Sequence, residues 1–183
     1  VEGTGVLDPI RHQLTNLLTG YGYNLYEAKN RARADDLLVR EKAAEQLADA
    51  ASALRTLRSA FQKQFIPPLS RDNPEPPADR LEQLRRLARL QTRLEDLATR
   101  IRSMAVPTQD RTWERFRNEK TLLHQLLLHD YNLVAPGRQL GERAHSLTAA
   151  DWTDDTAASL EGEADQIERA IRARTEFLQV PGW

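Results

Sequence analysis

Four histidines and 27 carboxylates are the side chains with which this 183-residue chain could do acid–base or metal chemistry. Their spacing decides how much of that chemistry is open. Glu142-x-x-His145 is one half of the motif that builds carboxylate-bridged metal sites between helices. Such a site needs Glu-x-x-His on two helices and a further Glu from each of two others, so that enough oxygen and nitrogen ligands converge. The second half has no counterpart, and the pair reads as solvated helix surface. His124 and His129 lie five residues apart, so on one helix they point about 140° apart and do not form a chelating pair. Glu161, Glu163, Asp165 and Glu168 resemble a divalent-metal helix, but Arg169, Arg172 and Arg174 follow closely. A charge-laced outer face accounts for both signs.

His129-Asp130 matches the central dipeptide of helical phosphohydrolases of the HD type. That family also needs an upstream His and a downstream Asp; His124 lies too close, and nothing downstream is distinctive, so no phosphohydrolase is inferred. Serine nucleophile elbows, phosphate-binding glycine loops and EF-hand loops are missing. The chain has no cysteine, which removes disulfides, thiol nucleophiles, thiolate zinc sites and iron–sulfur clusters together. No catalytic, cofactor-binding or metal-ligating residue is assigned, no cofactor is expected, and the chain reads as a non-enzyme.

The elements that would have to position any site are more legible. From Arg80 to Met104, the residues Leu87, Leu90, Leu94, Leu97, Ile101 and Met104 recur at alternating steps of three and four, the spacing of one apolar seam on a helix. Val39, Ala43, Leu47, Ala50, Leu54, Leu57 and Phe61 form a second seam in a run from Leu25 to Phe65 without Pro or Gly, which predicts a very long N-terminal helix over about 25–65. A third helix is expected over 112–134, with Trp113, Phe116, Leu123, Leu127, Tyr131 and Val134 on one face, stopped by a turn at Ala135-Pro136-Gly137. A short helix over 138–147 and a last one carrying Ala157, Leu160, Ala164, Ile167, Ile171 and Leu178 complete the set. A Pro-rich connector occupies 66–78. Asp8-Pro9, Asp79, Asp110 and either Thr153 or Asp154 stand where helix caps are wanted. No segment alternates with the period of a strand.

Composition agrees with long amphipathic helices: 29% charged, 40% hydrophobic and 6% aromatic residues. The formal net charge of −1 gives no overall field toward nucleic acid or an anionic membrane, and no apolar run approaches the roughly 18 residues that span a bilayer. Positive charge rests almost wholly on arginine, with only Lys29, Lys42, Lys63 and Lys120 as lysines. Arginine suits planar bidentate pairing with carboxylates. Arg85, Arg86, Arg89 and Arg93 concentrate on the central helix, and inter-helix ion pairs are favoured over phosphate contacts, which would need a stronger patch and a recognisable reading module. Tyr21, Tyr23 and Tyr26 with Gly20 and Gly22 form the one local concentration of aromatics, a hinge or a partly wet partner-binding surface.

The sequence thus predicts an all-α chain folded as one domain over 1–183, an elongated antiparallel helical bundle of four to five helices with coiled-coil-like seams. Its expected role is a non-enzymatic protein–protein interaction or scaffold module, self-associating or part of a larger assembly. The partner would be a protein, either itself or another helical chain, with Tyr21, Tyr23, Tyr26, Arg85, Arg86, Arg89 and Arg93 as the candidate surface. Two rivals stand beside it: a ligand-sensing helical bundle excised from a membrane receptor, and a helical metal-dependent protein whose site is too scattered to recognise.

Overall fold

The structure, a computed structural model, describes residues 7–18, 25–26, 32–68, 71 and 75–179. Among them are six α-helices, one 3-10 turn and no strand: α1 (Leu7–Leu18), α2 (Ala32–Phe65), α3 (Ala78–Arg102), α4 (Asp110–Asn118), α5 (Lys120–Ser146), the 3-10 turn Ala149–Asp151, and α6 (Asp154–Gln179). The regular structure of the described residues is therefore all helical, as the periodicity implied. No helix is long and apolar enough to cross a membrane among the described residues.

Every seam residue expected on α2, α3 and α6 is buried. Leu87, Leu94 and Ile101 of α3 and Val39, Ala43, Leu54 and Phe61 of α2 are wholly inaccessible. Each buried Leu or Phe contributes roughly 1.5–3 kcal/mol relative to leaving it in water. With Leu126, Leu127, Leu160, Ala164 and Ile167 they form one continuous core.

Paired residues give the direction of each helix. Arg102 meets Glu41, Glu95 meets Arg55, and the Arg80 guanidinium lies over the Phe65 ring, so α2 and α3 run antiparallel. Arg143 pairs with Glu163 while His129 packs on Phe177, so α5 and α6 do too. Arg86 pairs with Glu161 and Arg100 with Glu168, which makes α3 and α6 parallel. Gln46 lies against Gly137 and Gly141, and Asp49 binds His145, which makes α2 and α5 parallel. The arrangement is not antiparallel throughout, because α4 carries the chain from α3 across to a place beside α2. There α2 has α3 and α5 as neighbours, α6 has the same two, and α2 and α6 stand diagonally opposed.

Besides the antiparallel arrangement, the expected count of four to five helices is corrected to six α-helices among the described residues, and four further expectations change. The long N-terminal helix begins at Ala32, not Leu25: Leu25 and Tyr26 form a turn, with Tyr26 in the left-handed region at φ 65°. Even so, α2 at 34 residues is the longest helix. The segment expected as one helix over 112–134 divides at Glu119, whose extended backbone (φ −94°, ψ 102°) separates α4 from α5. Conversely, Ala135-Pro136-Gly137 is not a turn, for α5 continues through it to Ser146. Pro136 lacks an N–H and loses one helical bond, while a Cβ on Gly137 would already touch Gln46 Oε1 at 3.4 Å. Packing against α2 thus overrides the local breaker. Finally, Asp79 and Asp110 lie inside the first turns of α3 and α4 and do not cap them; Pro77 and Gln109 hold those positions, without a side-chain cap bond. Thr153 does act as a cap for α6, its Oγ1 accepting from the Thr156 amide at 3.2 Å.

Candidate functional site

Titratable side chains from three helices and a turn converge at one place. Arg174 of α6 reaches diagonally across the core: its Nη2 donates to Asp36 Oδ1 of α2 at 2.8 Å and its Nε to Asp130 Oδ1 of α5 at 2.7 Å. Neither Arg174 nor Asp130 has any side-chain exposure, and Asp36 has 1%. The Tyr26 hydroxyl donates to the other Asp130 oxygen at 2.7 Å, and the Tyr26 amide donates to Asp35 Oδ2 at 2.7 Å. Arg40 Nε closes the remaining side of Asp36, at Oδ2, at 2.9 Å. A third guanidinium nitrogen, Arg174 Nη1, lies 3.5 Å from Met104 Sδ.

The local sequence sets these positions. Asp35 and Asp36 sit within the first turns of α2, where the unpaired amides of a helix start favour negative charge. Left-handed backbone at Tyr26 disfavours an L residue, yet the residue is fixed from three sides. Its amide and hydroxyl are both bonded, and its ring stacks on Trp113 of α4 with centroids 6.3 Å apart and planes 5° from parallel. Trp113 is itself held by its Nε1–H, which donates to the Pro107 carbonyl at 2.9 Å. The aromatic line continues through Phe116 and Phe177 to His129, so α4 roofs the network.

Burial dominates the electrostatics. It pushes the Asp130 carboxyl up against the pull of Arg174 and Tyr26. Burial also raises the Tyr26 phenol well above its ordinary range, reinforced by the charge of Asp130. For Arg174 burial acts the other way, but Asp130 and Asp36 outweigh it and the guanidinium is held more firmly protonated than usual. His129, next in sequence to Asp130, is lowered by burial, partly offset by the Asp130 charge. Chemically the arrangement is a closed clamp: two carboxylates share one guanidinium, and a phenol fills the lone pair left over.

A second set of charges lines the α3–α6 seam. Arg86 grips Glu161 with two parallel bonds, Nε to Oε1 at 2.7 Å and Nη2 to Oε2 at 2.6 Å, and touches Asp154 at 3.1 Å. Arg93 binds Asp165 and Glu168, and Arg100 binds Glu168 at 2.9 Å. The expected pairing of arginine with carboxylate between helices is found in this seam, but the charge-laced outer face read over Glu161, Glu163, Asp165, Glu168, Arg169, Arg172 and Arg174 is corrected: Glu161, Asp165 and Glu168 pair with arginines of α3, Glu163 pairs with Arg143 of α5, and Arg174 is wholly buried.

The candidate surface residues divide. Tyr21 and Tyr23 lie outside the described residues. Tyr26 is 1% exposed and belongs to the clamp, not to a surface. Arg86 and Arg93 are largely covered by α6, whereas Arg85 and Arg89 face solvent beside Glu82, Arg89 at 2.7 Å. Glu142 and His145 do not converge on a common ion: Glu142 pairs with Arg138 and His145 with Asp49. No cluster of three or more His, Asp or Glu suited to a metal occurs among the described residues. His124 and His129 are both partly buried.

Sequence reasoning missed the clamp, although a signal was present: Asp36 went unremarked, Asp130 entered only through the His129-Asp130 dipeptide, and Arg174 only as part of a charged outer face. Each occupies a seam register: Ala32, Asp36, Val39, Ala43; Leu123, Leu127, Asp130, Val134; Ile167, Ile171, Arg174, Leu178. A charge at a three-four position inside an apolar stripe must find a partner indoors. No protein family, curated protein or solved structure matches this chain.

Proposed function

We propose that the chain is a non-enzymatic helical interaction or scaffold module that self-associates or joins a larger assembly through its outer helix faces. The observation that carries this reading is the closure of the Asp36–Arg174–Asp130–Tyr26 clamp. The place where acids, a base and a phenol converge directs its bonding inward, tying the turn before α2 to α2, α5 and α6. A group that holds helices in fixed relation suits a frame.

Arg85 and Arg89 are the contact residues of this reading. Their side chains are 68% and 62% exposed, and Glu82, their partner among the described residues, is exposed as well. Exposed pairs of this kind contribute little to folding, so a partner's carboxylates can replace Glu82 at small cost. Leu37 and Leu128, 55% and 40% exposed, lie toward the other end of the bundle, beside the end of α3, and stand apart from this surface. Sedimentation equilibrium of the full chain tests the proposal. The expected mass is a multiple of 20.9 kDa at micromolar concentration, shifting toward the single chain in Arg85→Glu/Arg89→Glu. A compact single chain that pulls down no acidic helical partner overturns it.

A further inference from the structure

The chain holds one methionine, Met104, just beyond the end of α3. Its surroundings differ on its two sides. Inward, its sulfur faces Arg174 Nη1 at 3.5 Å, the weakest of the guanidinium's three contacts. Outward, Met104 lines an open recess of about 360 Å³ between the end of α3 and α6, shared with Ser103, Ala105, Ile171 and Thr175. The residue is 7% exposed, so the recess is its route to solvent.

We infer that Met104 is a modification site for peroxide-class oxidants, attacked from the recess side alone, and that its oxidation loosens the Arg174 clamp. A thioether sulfur has two lone pairs. One is directed at the guanidinium, leaving the other for an incoming peroxide. That sulfur lone pair forms the new S–O bond as the peroxide O–O bond breaks, and the hydrogen of the transferred oxygen passes to the departing oxygen, which leaves as water or alcohol. Sulfur is oxidised by two electrons and the peroxide is reduced by two. The product is methionine sulfoxide, polar and chiral at sulfur. One-sided attack gives one epimer. Its sulfur is no longer a thioether acceptor for Arg174 Nη1, and a polar oxygen now stands beside Ile171, so the end of α6 that carries the clamp is loosened.

A single methionine makes the test direct. Folded protein is treated with hydrogen peroxide or an alkyl hydroperoxide and weighed intact, and the product is digested and offered to the two sulfoxide reductases that each take one epimer. The expected result is uptake of one oxygen atom in the folded state, removed by one reductase and hardly at all by the other. Chain oxidised in urea gives both epimers. Oxidised protein melts lower by about 2–4 °C, and Met104→Leu neither takes up oxygen nor changes its melting on treatment. Resistance of the folded chain to oxidation overturns the inference, as do equal amounts of the two epimers or an unchanged melting temperature after complete oxidation.

Discussion

The Tyr26 hydroxyl and the Asp130 carboxylate, 104 positions apart in sequence, meet at 2.7 Å with no solvent access to either residue beyond 1%. The bond joins the turn before α2 to the middle of α5. It supplies the donor that Asp130 Oδ2 needs, since Arg174 serves Oδ1. Tyr26→Phe keeps the ring on Trp113 and removes that donor alone. A buried acceptor left unsatisfied costs about 1–3 kcal/mol, so urea unfolding followed by Trp fluorescence is expected to show a loss in that range with the helical signal of the folded state unchanged. A shift within error of wild type would mean that water reaches Asp130.

Arg174 is expected to be the least replaceable residue of the chain. Arg174→Met leaves Asp36 and Asp130 facing one another in the core, and breaking a buried ion pair from one side costs about 3–5 kcal/mol. Removing the charges together is a different matter: a well-packed neutral core can match or exceed a buried triad. The triple variant Arg174→Met/Asp36→Asn/Asp130→Asn is expected to recover much of the stability lost by Arg174→Met. Arg40 donates to Asp36 as well, so recovery will be partial. Additive losses in the triple variant would sink the account of the clamp as a mutually compensating unit.

The helices were legible in the sequence because Leu and Ala repeat with a period that only a helix places on one face. The clamp was not, for two physical reasons. A pattern search for seams passes over the position where a charge replaces a leucine, which is how Ile171 and Leu178 were read without Arg174 between them. And the partner of such a charge lies on another helix, Asp36 being 138 positions away, so local periodicity carries no record of it. Pro136 misled in the opposite sense. Its local preference for ending a helix is real, but Gly137 and Gly141 let α5 lie against Gln46 of α2, and that packing carries the helix on. Tyr26 was mistaken for surface because a tyrosine beside glycines reads as partly wet; its burial depends on Asp35, Asp130 and Trp113, none of which is its sequence neighbour.

His129 gives the fold a pH dependence with a definite sign. Burial against Phe177 lowers its pKa in the folded state below the ordinary 6.5. The unfolded chain therefore binds the proton first as pH falls. Stability from this residue is fully present above the unfolded value and is lost as pH falls from about 6.5 toward the lower folded value. Denaturant titrations at stepped pH through that interval are expected to show a decline in wild type that His129→Gln lacks. A decline of equal slope in the variant would assign it to other groups.

Acid should open the α3–α6 seam at lower pH. Arg100 and Arg93 hold the Glu168 carboxyl down to about 2 by hydrogen bonding and charge, and Arg86 lowers Glu161 in the same way. A carboxylate with a depressed folded pKa stabilises fully above its unfolded value near 4.5 and loses that contribution as pH falls toward the folded one. Between those limits wild type is expected to lose stability more steeply than Glu168→Gln. Raising the salt concentration should flatten the difference, because these partners are partly open to solvent and their charges are screened. Indifference to both salt and the substitution would show the seam to be held by its leucines alone.

Gly162 offers a change in the stabilising direction. It lies within α6, is exposed, and has open space where a Cβ would project. Gly137 and Gly141 differ: each faces Gln46, and side chains larger than alanine there would push α2 and α5 apart. At Gly162 only backbone entropy is at stake. Alanine has fewer unfolded conformations to lose and is favoured over glycine in a helix interior by about 0.5–1 kcal/mol. Gly162→Ala is expected to raise the unfolding free energy by that amount, read as a higher urea midpoint with an unchanged slope, while Gly141→Leu lowers it. A stabilising Gly141→Leu would mean that α2 and α5 do not approach each other through this glycine, and with it would go the reason given for α5 continuing past Pro136.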